Sequence, residues 1–328
     1  MSTSTPTPAW RTGAATRIAL VAAASSAFFI GAYDFFSGTA SEIAASAPGA
    51  SLSSSAADAT PFTAATAGDC LTWDVNPDGT YANVEPASCA DPHRFEIAHV
   101  EDLGIYPTSE FGRDAARPSL QRQAELREEL CQGSTLTYLN GQFDPAGKFS
   151  IAPILPPEAA WNAGDRTMLC GLQSTNEQGI PQLTQGRVTE VDQANLAAPG
   201  ECRRIGDDQV LRNVDCQQPH QLETVSVVSL TERFPDGFPA IEEQDKFLAQ
   251  RCAQDAIAYL GEEEALYQST LQPYWGTIAE TSWDGGTHSV NCSLMHANPA
   301  TTSFSTITGT ARDGRTGLTI DGAPPAEQ

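Results

Sequence analysis

Basic residues are scarce in this chain. Its 328 residues include 18 Lys and Arg against 41 Asp and Glu, for a formal charge of −23. No Lys or Arg occurs between Arg17 and Arg94. Nucleic acids and anionic lipid surfaces require a basic footprint, so this balance excludes nucleic acid as a partner. Cysteine is absent before Cys70, which argues against lipid attachment near the N-terminus. Large apolar side chains are rare across residues 37–67, a stretch dominated by Ala, Ser and Thr. A segment of that composition buries too little surface to offset its ordering entropy and reads as a flexible stalk.

The rest of the chain is richer. With 40 % apolar residues it can build real cores, and its length suggests about two domains. The longest apolar run is IALVAAASSAFFIGAYDFF, Ile18 to Phe36, with Asp34 as its only charge. About 18 or more apolar residues span a bilayer as a helix. Arg11 and Arg17 precede this run, so the positive-inside rule keeps residues 1–17 cytoplasmic and exports the chain beyond the run. The expectation is a single-pass anchor at 18–36 in the cytoplasmic membrane, with the bulk of the chain extracytoplasmic. A cleaved signal peptide is the alternative, because small residues occur just beyond it at Gly38-Thr39-Ala40 and Ala45-Ser46-Ala47. Eight cysteines, an even number, in an exported chain point to disulfides before metal or redox chemistry.

The chain also repeats itself. CADPHRFE, Cys89 to Glu96, is answered by CQQPHQLE, Cys216 to Glu223. Gly68-Asp69-Cys70 is answered by Gly200-Glu201-Cys202. Cys131 precedes Tyr138-Leu139 by the interval at which Cys252 precedes Tyr259-Leu260. Glu158 and Trp161 recur as Glu280 and Trp283, and the interval from Trp161 to Cys170 equals that from Trp283 to Cys292. LTQGR, Leu183 to Arg187, resembles ITGTAR, Ile307 to Arg312. Markers in one shared order mean duplication. The copies are placed at 68–190 and 200–313, with a linker at 191–199 and a disordered tail at 314–328.

Each copy reads as strands, one main helix, then strands carrying the Trp and the last Cys: an α+β domain with a small, mostly antiparallel sheet. In the second copy Ile241, Leu248, Cys252, Ala256 and Tyr259 share one helical face, and Gly261 is placed to end the helix. In the first, Pro118 suits the first helical turn, and Leu120, Ala124, Cys131 and Tyr138 lie near one face. The expected bonds tie helix to sheet, Cys131–Cys170 and Cys252–Cys292, and close hairpin-like loops, Cys70–Cys89 and Cys202–Cys216. Four cysteines per copy allow three pairings, so the pattern alone leaves the connectivity open.

The order GDC, Cys-x-x-Pro-His-x-x-Glu, a helix with Cys, then Trp and Cys, then Leu-Thr-Gly resembles the septum formation domain of actinobacterial envelope proteins. Here it runs from Gly68 through CADPHRFE to Cys131, Trp161 and Cys170, and again in the second copy. The first copy departs at LTQGR, where Gly is expected after Thr. The resemblance implies a membrane-anchored extracytoplasmic protein connected with septum formation, with an envelope or division protein as partner. It implies no catalytic residue and sets no oligomeric state.

The repeated His and Glu admit several readings. A zinc site needs three or four converging ligands. Cys89, His93 and Glu96, or Cys216, His220 and Glu223, would supply three, but a cysteine in a disulfide is no ligand. The remaining histidines, His99, His288 and His296, have no counterpart in the opposite copy, so no metal or cofactor is expected. A hydrolase would use His as base, yet no activated Ser, Thr or Cys recurs, and Glu158 and Glu280 before Trp read as packing features. The expectation is therefore no enzyme. A cell-wall enzyme or metal-dependent factor using these His and Glu groups is the rival. As scaffold, Pro would fix the backbone and the imidazole would bond backbone or Glu. As a binding surface, His93, Glu96, His220 and Glu223 would meet a partner.

Overall fold

The computed structural model describes residues 64–327, apart from 77–80, 107–108, 177, 207–208 and 299–302. The expected N-terminus at 1–17, the anchor at 18–36 and nearly all of the stalk at 37–67 lie outside the described residues. Among the described residues no helix is long and apolar enough to cross a membrane.

Two units of mostly antiparallel sheet, with few helices, succeed one another. The first contains β1 (Cys70–Val75), β2 (Tyr81–Ala87), β3 (Phe95–Asp102), α1 (Leu120–Leu126), a π-helical turn (Arg127–Cys131), α2 (Gln132–Tyr138), β4 (Phe149–Ile154), α3 (Glu158–Ala163) and β5 (Thr167–Ser174). The second contains β6 (Cys202–Ile205), β7 (Leu211–Val214), β8 (Leu222–Ser229), α4 (Ile241–Leu260), α5 (Glu263–Ser269), β9 (Gln272–Trp275), α6 (Glu280–Asp284) and β10 (Ser289–Met295). The sheets share one order, β2-β1-β3-β5-β4 and β7-β6-β8-β10-β9. Their central strands β3 and β8 begin with four buried residues in succession, Phe95 to Ala98 and Leu222 to Val225, so both faces of the sheet are covered there.

The long helix lies on one face of each sheet. In α4 the buried residues Gln244, Leu248, Cys252 and Ala256 recur every fourth position, and Gly261 ends the helix at φ +93°. Ile241, expected on that face, is exposed, because it stands in the first turn beyond the edge of the core. In the first unit the buried residues are Gln123, Leu126, Cys131 and Thr135, and Ala124 faces solvent. Arg127 stands where the second unit has Leu248. The π-helical turn changes the register so that Leu126 reaches the core instead. Pro118 precedes the helix, and Ser119 caps it by accepting from the Arg122 amide.

All four disulfides pair as anticipated: Cys70–Cys89, Cys131–Cys170, Cys202–Cys216 and Cys252–Cys292. The two recurring Trp residues lie on short helices, α3 and α6, not on strands. Trp161 is fully buried against the helix-bearing core, and its indole N–H donates to Ala115 O.

The C-terminus corrects another expectation. Residues 314–328, anticipated as a disordered tail, contribute β14 (Leu318–Ile320), which pairs with β13 (Ile307–Gly309). Leu318 is 2 % exposed within the second core, and that apolar contact holds the segment in place. Two shorter strands, β11 (Ala297–Asn298) and β12 (Ser303–Phe304), precede this hairpin.

Residues 191–199 connect the units and are partly buried. Gln193, 1 % exposed, bridges them: its amide donates to Gly286 O, its carbonyl accepts from the Lys148 amide, and its side chain bonds Asp144 N and Gln142 O. Asp144, also buried, accepts from Ser282 and Thr287 of the second unit. These bonds give the polar groups buried at the seam partners within the protein.

Candidate functional site

The recurring His and Glu come together at the start of each central strand. A bend at Arg94 separates His93 from β3, and this break lets His93 and Glu96 approach on the same side. Cys70 sits opposite Glu96 in the ladder, and Cys202 opposite Glu223. Ligand atoms of Cys70, His93 and Glu96 therefore lie within 4.8 Å of one another, and Cys202, His220 and Glu223 repeat the arrangement. The cysteine brought to the group is the buried disulfide partner of the one in the motif.

All four motif residues are buried: His93 and Glu96 at 1 %, His220 and Glu223 at 0 % exposure. A docking partner cannot reach them, so the expectation that they form a binding surface is corrected. Their polar atoms are largely committed internally. Nδ1 of His93 lies 2.9 Å from Asp91 O, and Nδ1 of His220 lies 2.9 Å from Gln218 O. Each His also exchanges two backbone bonds with a later segment, at Thr184 in the first unit and at Ile307, the start of β13, in the second. Burial pushes the His220 imidazole below its ordinary range, against smaller upward effects of Gln218 O and Glu223.

Each buried Glu ties three elements together. Glu96 on β3 accepts from the Tyr138 hydroxyl at 2.7 Å and from the Val188 amide at 2.8 Å. Glu223 on β8 accepts from the Tyr259 hydroxyl at 2.8 Å, the Thr310 hydroxyl at 2.6 Å and the Ala311 amide at 2.7 Å. Strand, long helix and C-terminal loop thus meet on one carboxyl group. Burial, then the bond to Glu96, pushes the Tyr138 hydroxyl up to about 12, and Tyr259 is raised for the same reasons. The two tyrosines are the partners that the motif alone does not reveal, although their fixed interval from Cys131 and Cys252 marks them.

The closing loop also explains the departure at LTQGR. Thr184 occupies the place of Ile307, so Gly186 aligns with Gly309, and their amides donate to Cys89 O and Cys216 O. Both take φ near +90°, +86° and +93°, and a Cβ on Gly309 would meet Gly317 O at 2.0 Å. The first copy keeps its glycine, one residue along from where the Leu-Thr pair suggests. Arg187 then donates to Gly68 O and the Tyr138 hydroxyl, whereas Arg312 stacks 4.4 Å from the Tyr259 ring centre.

With both first cysteines oxidised, only His and Glu remain as ligands in each cluster, fewer than a zinc site needs. Glu158 and Glu280, the rival acids, are exposed in the first turns of α3 and α6, where a carboxylate complements the helix terminus.

These features define a class: duplicated, disulfide-stapled antiparallel sheet units whose recurring Pro-His-x-x-Glu histidine and glutamate are internal. A profile of the septum formation family matches residues 67–292. The chain belongs to the septum formation family. It is 37 % identical over 270 residues to an uncharacterized membrane protein of Mycobacterium tuberculosis, in strains CDC 1551 and H37Rv alike. That match covers 80 % of this chain and 58 % of each relative, so the chain spans little more than half their length. No solved structure matches.

Proposed function

We propose that this protein is a non-catalytic, membrane-anchored component of the cell envelope that binds or organises other proteins during septum formation. The observation that carries this reading is the fate of the repeated polar residues. His93, Glu96, His220 and Glu223 are buried and serve to lock strand, helix and loop together, as a scaffold requires. Family membership supports the link to division, and the relatives' description as membrane proteins supports the anchor. The apolar run Ile18 to Phe36 after Arg11 and Arg17 supplies that anchor, with both units outside. The partner meets the outer surface of the units.

A fluorescent fusion to the full-length chain tests this. Enrichment at the division site, with the N-terminus intact and membrane-associated, is expected. Uniform distribution around the cell, or recovery of a chain cleaved near residue 41 or 48, would defeat the corresponding part of the proposal.

A further inference from the structure

The first disulfide of each unit has one sheltered sulfur and one more open. Cys70 is 1 % and Cys202 0 % exposed, whereas Cys89 and Cys216 are of intermediate exposure. An open cleft of about 580 Å³, bordered by Ser88, Gln185, Arg187 and Glu190, reaches Cys89. The other four cysteines, Cys131, Cys170, Cys252 and Cys292, are all 0 % exposed. A thiol reductant therefore meets Cys89 and Cys216 first, and the buried cysteine becomes the leaving group.

Each leaving thiolate would emerge among ligands. Its sulfur lies within 4.8 Å of a ring nitrogen of the histidine and a carboxyl oxygen of the glutamate. Both rings place Nδ1 2.9 Å from a backbone carbonyl, which calls for the proton on Nδ1, so in the neutral ring Nε2 carries the lone pair. In the second unit that Nε2 is buried and has no hydrogen-bond partner among the described residues. In the first it lies 3.5 Å from the Thr184 hydroxyl. Sulfur, imidazole lone pair and carboxyl oxygen converge, and the backbone carbonyl orients the imidazole as it does in zinc-ligating histidines. The carboxyl group is itself oriented by Tyr138 and Val188, or by Tyr259, Thr310 and Ala311.

We propose that each unit contains a latent divalent-metal site, closed by its first disulfide and opened by a dithiol reductant. The converging ligands are Cys70, His93 and Glu96 in one unit, and Cys202, His220 and Glu223 in the other, and the reduced Cys89 or Cys216, or water in its place, completes each set. One thiolate of the reductant attacks Cys89 Sγ, the Cys70–Cys89 bond breaks, and Cys70 departs as a thiolate. The second thiolate of the reductant then displaces Cys89, so the reductant leaves as a disulfide and two protein thiols remain. Binding of Zn²⁺ releases the thiol protons and gives a four-ligand set, S₂NO where the second cysteine completes it.

The test uses the full-length chain with Cys89→Ser and Cys216→Ser, which leaves Cys70 and Cys202 as thiols and the helix disulfides in place. Titration with Co²⁺ should give thiolate-to-cobalt absorption saturating at about two ions per chain, one per site. Zn²⁺ should displace it, and adding His220→Ala should reduce it to about one ion. The oxidised natural chain should show no such band. Absence of the band while Cys70 and Cys202 react with a thiol reagent overturns the proposal, as does a band indifferent to His93→Ala and His220→Ala. If the serine variant fails to fold, graded reduction of the natural chain with alkylation mapping decides. Cys70, Cys89, Cys202 and Cys216 should then open first and be protected from alkylation by Zn²⁺. Earlier opening of Cys131–Cys170 or Cys252–Cys292, or no protection, refutes it.

Discussion

Replacing Tyr138 or Tyr259 by Phe removes one hydroxyl from a buried carboxyl group, and the two units should respond unequally. Glu96 Oε1 accepts from Tyr138 alone, while Oε2 accepts from the Val188 amide. Tyr138→Phe therefore leaves an oxygen of a 1 %-exposed residue without a donor. Glu223 Oε1 accepts from both Tyr259 and Thr310, so Tyr259→Phe leaves it one donor. Hydrogen bonds to charged groups contribute about 1.5–3 kcal/mol, and orphaning a buried group falls at the upper end. We expect Tyr138→Phe to cost about 3 kcal/mol and Tyr259→Phe about 1.5 kcal/mol. Arg187 should add little to the difference, since it keeps its bond to Gly68 O. Denaturant unfolding of the full-length chain with disulfides intact measures both. A double-mutant cycle of Tyr138→Phe with Glu96→Gln should show coupling, because the pair shares one bond. Equal costs, or a larger loss at Tyr259, would refute the view that donor count on each oxygen sets the energy.

The same geometry sets other outcomes. The His220 imidazole titrates below its ordinary value when folded, so the unfolded chain binds protons first as pH falls below about 6.5. Stability should drop in that acid window. His296 shifts the same way, so the slope lost in His220→Asn is what isolates His220, and an unchanged slope would exclude it. Tyr138 and Tyr259 are raised, so stability should fall above about pH 10, and less so in the double Phe variant. Asp144→Ala removes the acceptor of Ser282 and Thr287, and limited proteolysis should then cut within residues 191–199, which should resist in the natural chain. Equal resistance of both would show that the seam does not depend on Asp144. Opening Cys252–Cys292, which spans 40 residues, should cost about 4 kcal/mol, against about 3 for the 14-residue span of Cys202–Cys216, as read from thermal unfolding of paired Ser variants.

Much of this arrangement was legible because duplication supplies its own control. An interval that recurs, such as Cys131 to Tyr138 and Cys252 to Tyr259, must serve one geometry twice, and those tyrosines proved to hold the buried Glu. Helix-to-sheet disulfides were foreseeable from cysteines on an apolar helical face. The features that stayed hidden depend on contacts distant in the chain. The π-helical turn brings Leu126, in place of Arg127, to the core, and only the packed sheet reveals that exchange. Trp161 and Trp283 stand in short segments with no helical period to mark them, and only the helices α3 and α6 decide. The segment after Gly314 is polar and glycine-rich, so nothing local signals that Leu318 enters the core. The burial of His93 and His220 was equally hidden, since Pro-His in a polar loop carries no apolar pattern.

The disulfides also set how the molecule answers tension. If the first unit is drawn toward a membrane while a partner holds the second, the pull enters at Cys70 and crosses at once to Cys89. It bypasses the hairpin of β1 and β2. The same shortcut occurs at Cys131–Cys170, Cys202–Cys216 and Cys252–Cys292, removing spans of 39, 14 and 40 residues from the extensible length. Only the stretches outside the bridges can lengthen, among them Cys89 to Cys131, Cys170 to Cys202 and Cys216 to Cys252. Under load the bridges would hold about half of the span from Cys70 to Cys292 out of the extensible length, so the reach of the chain is cut without being fixed.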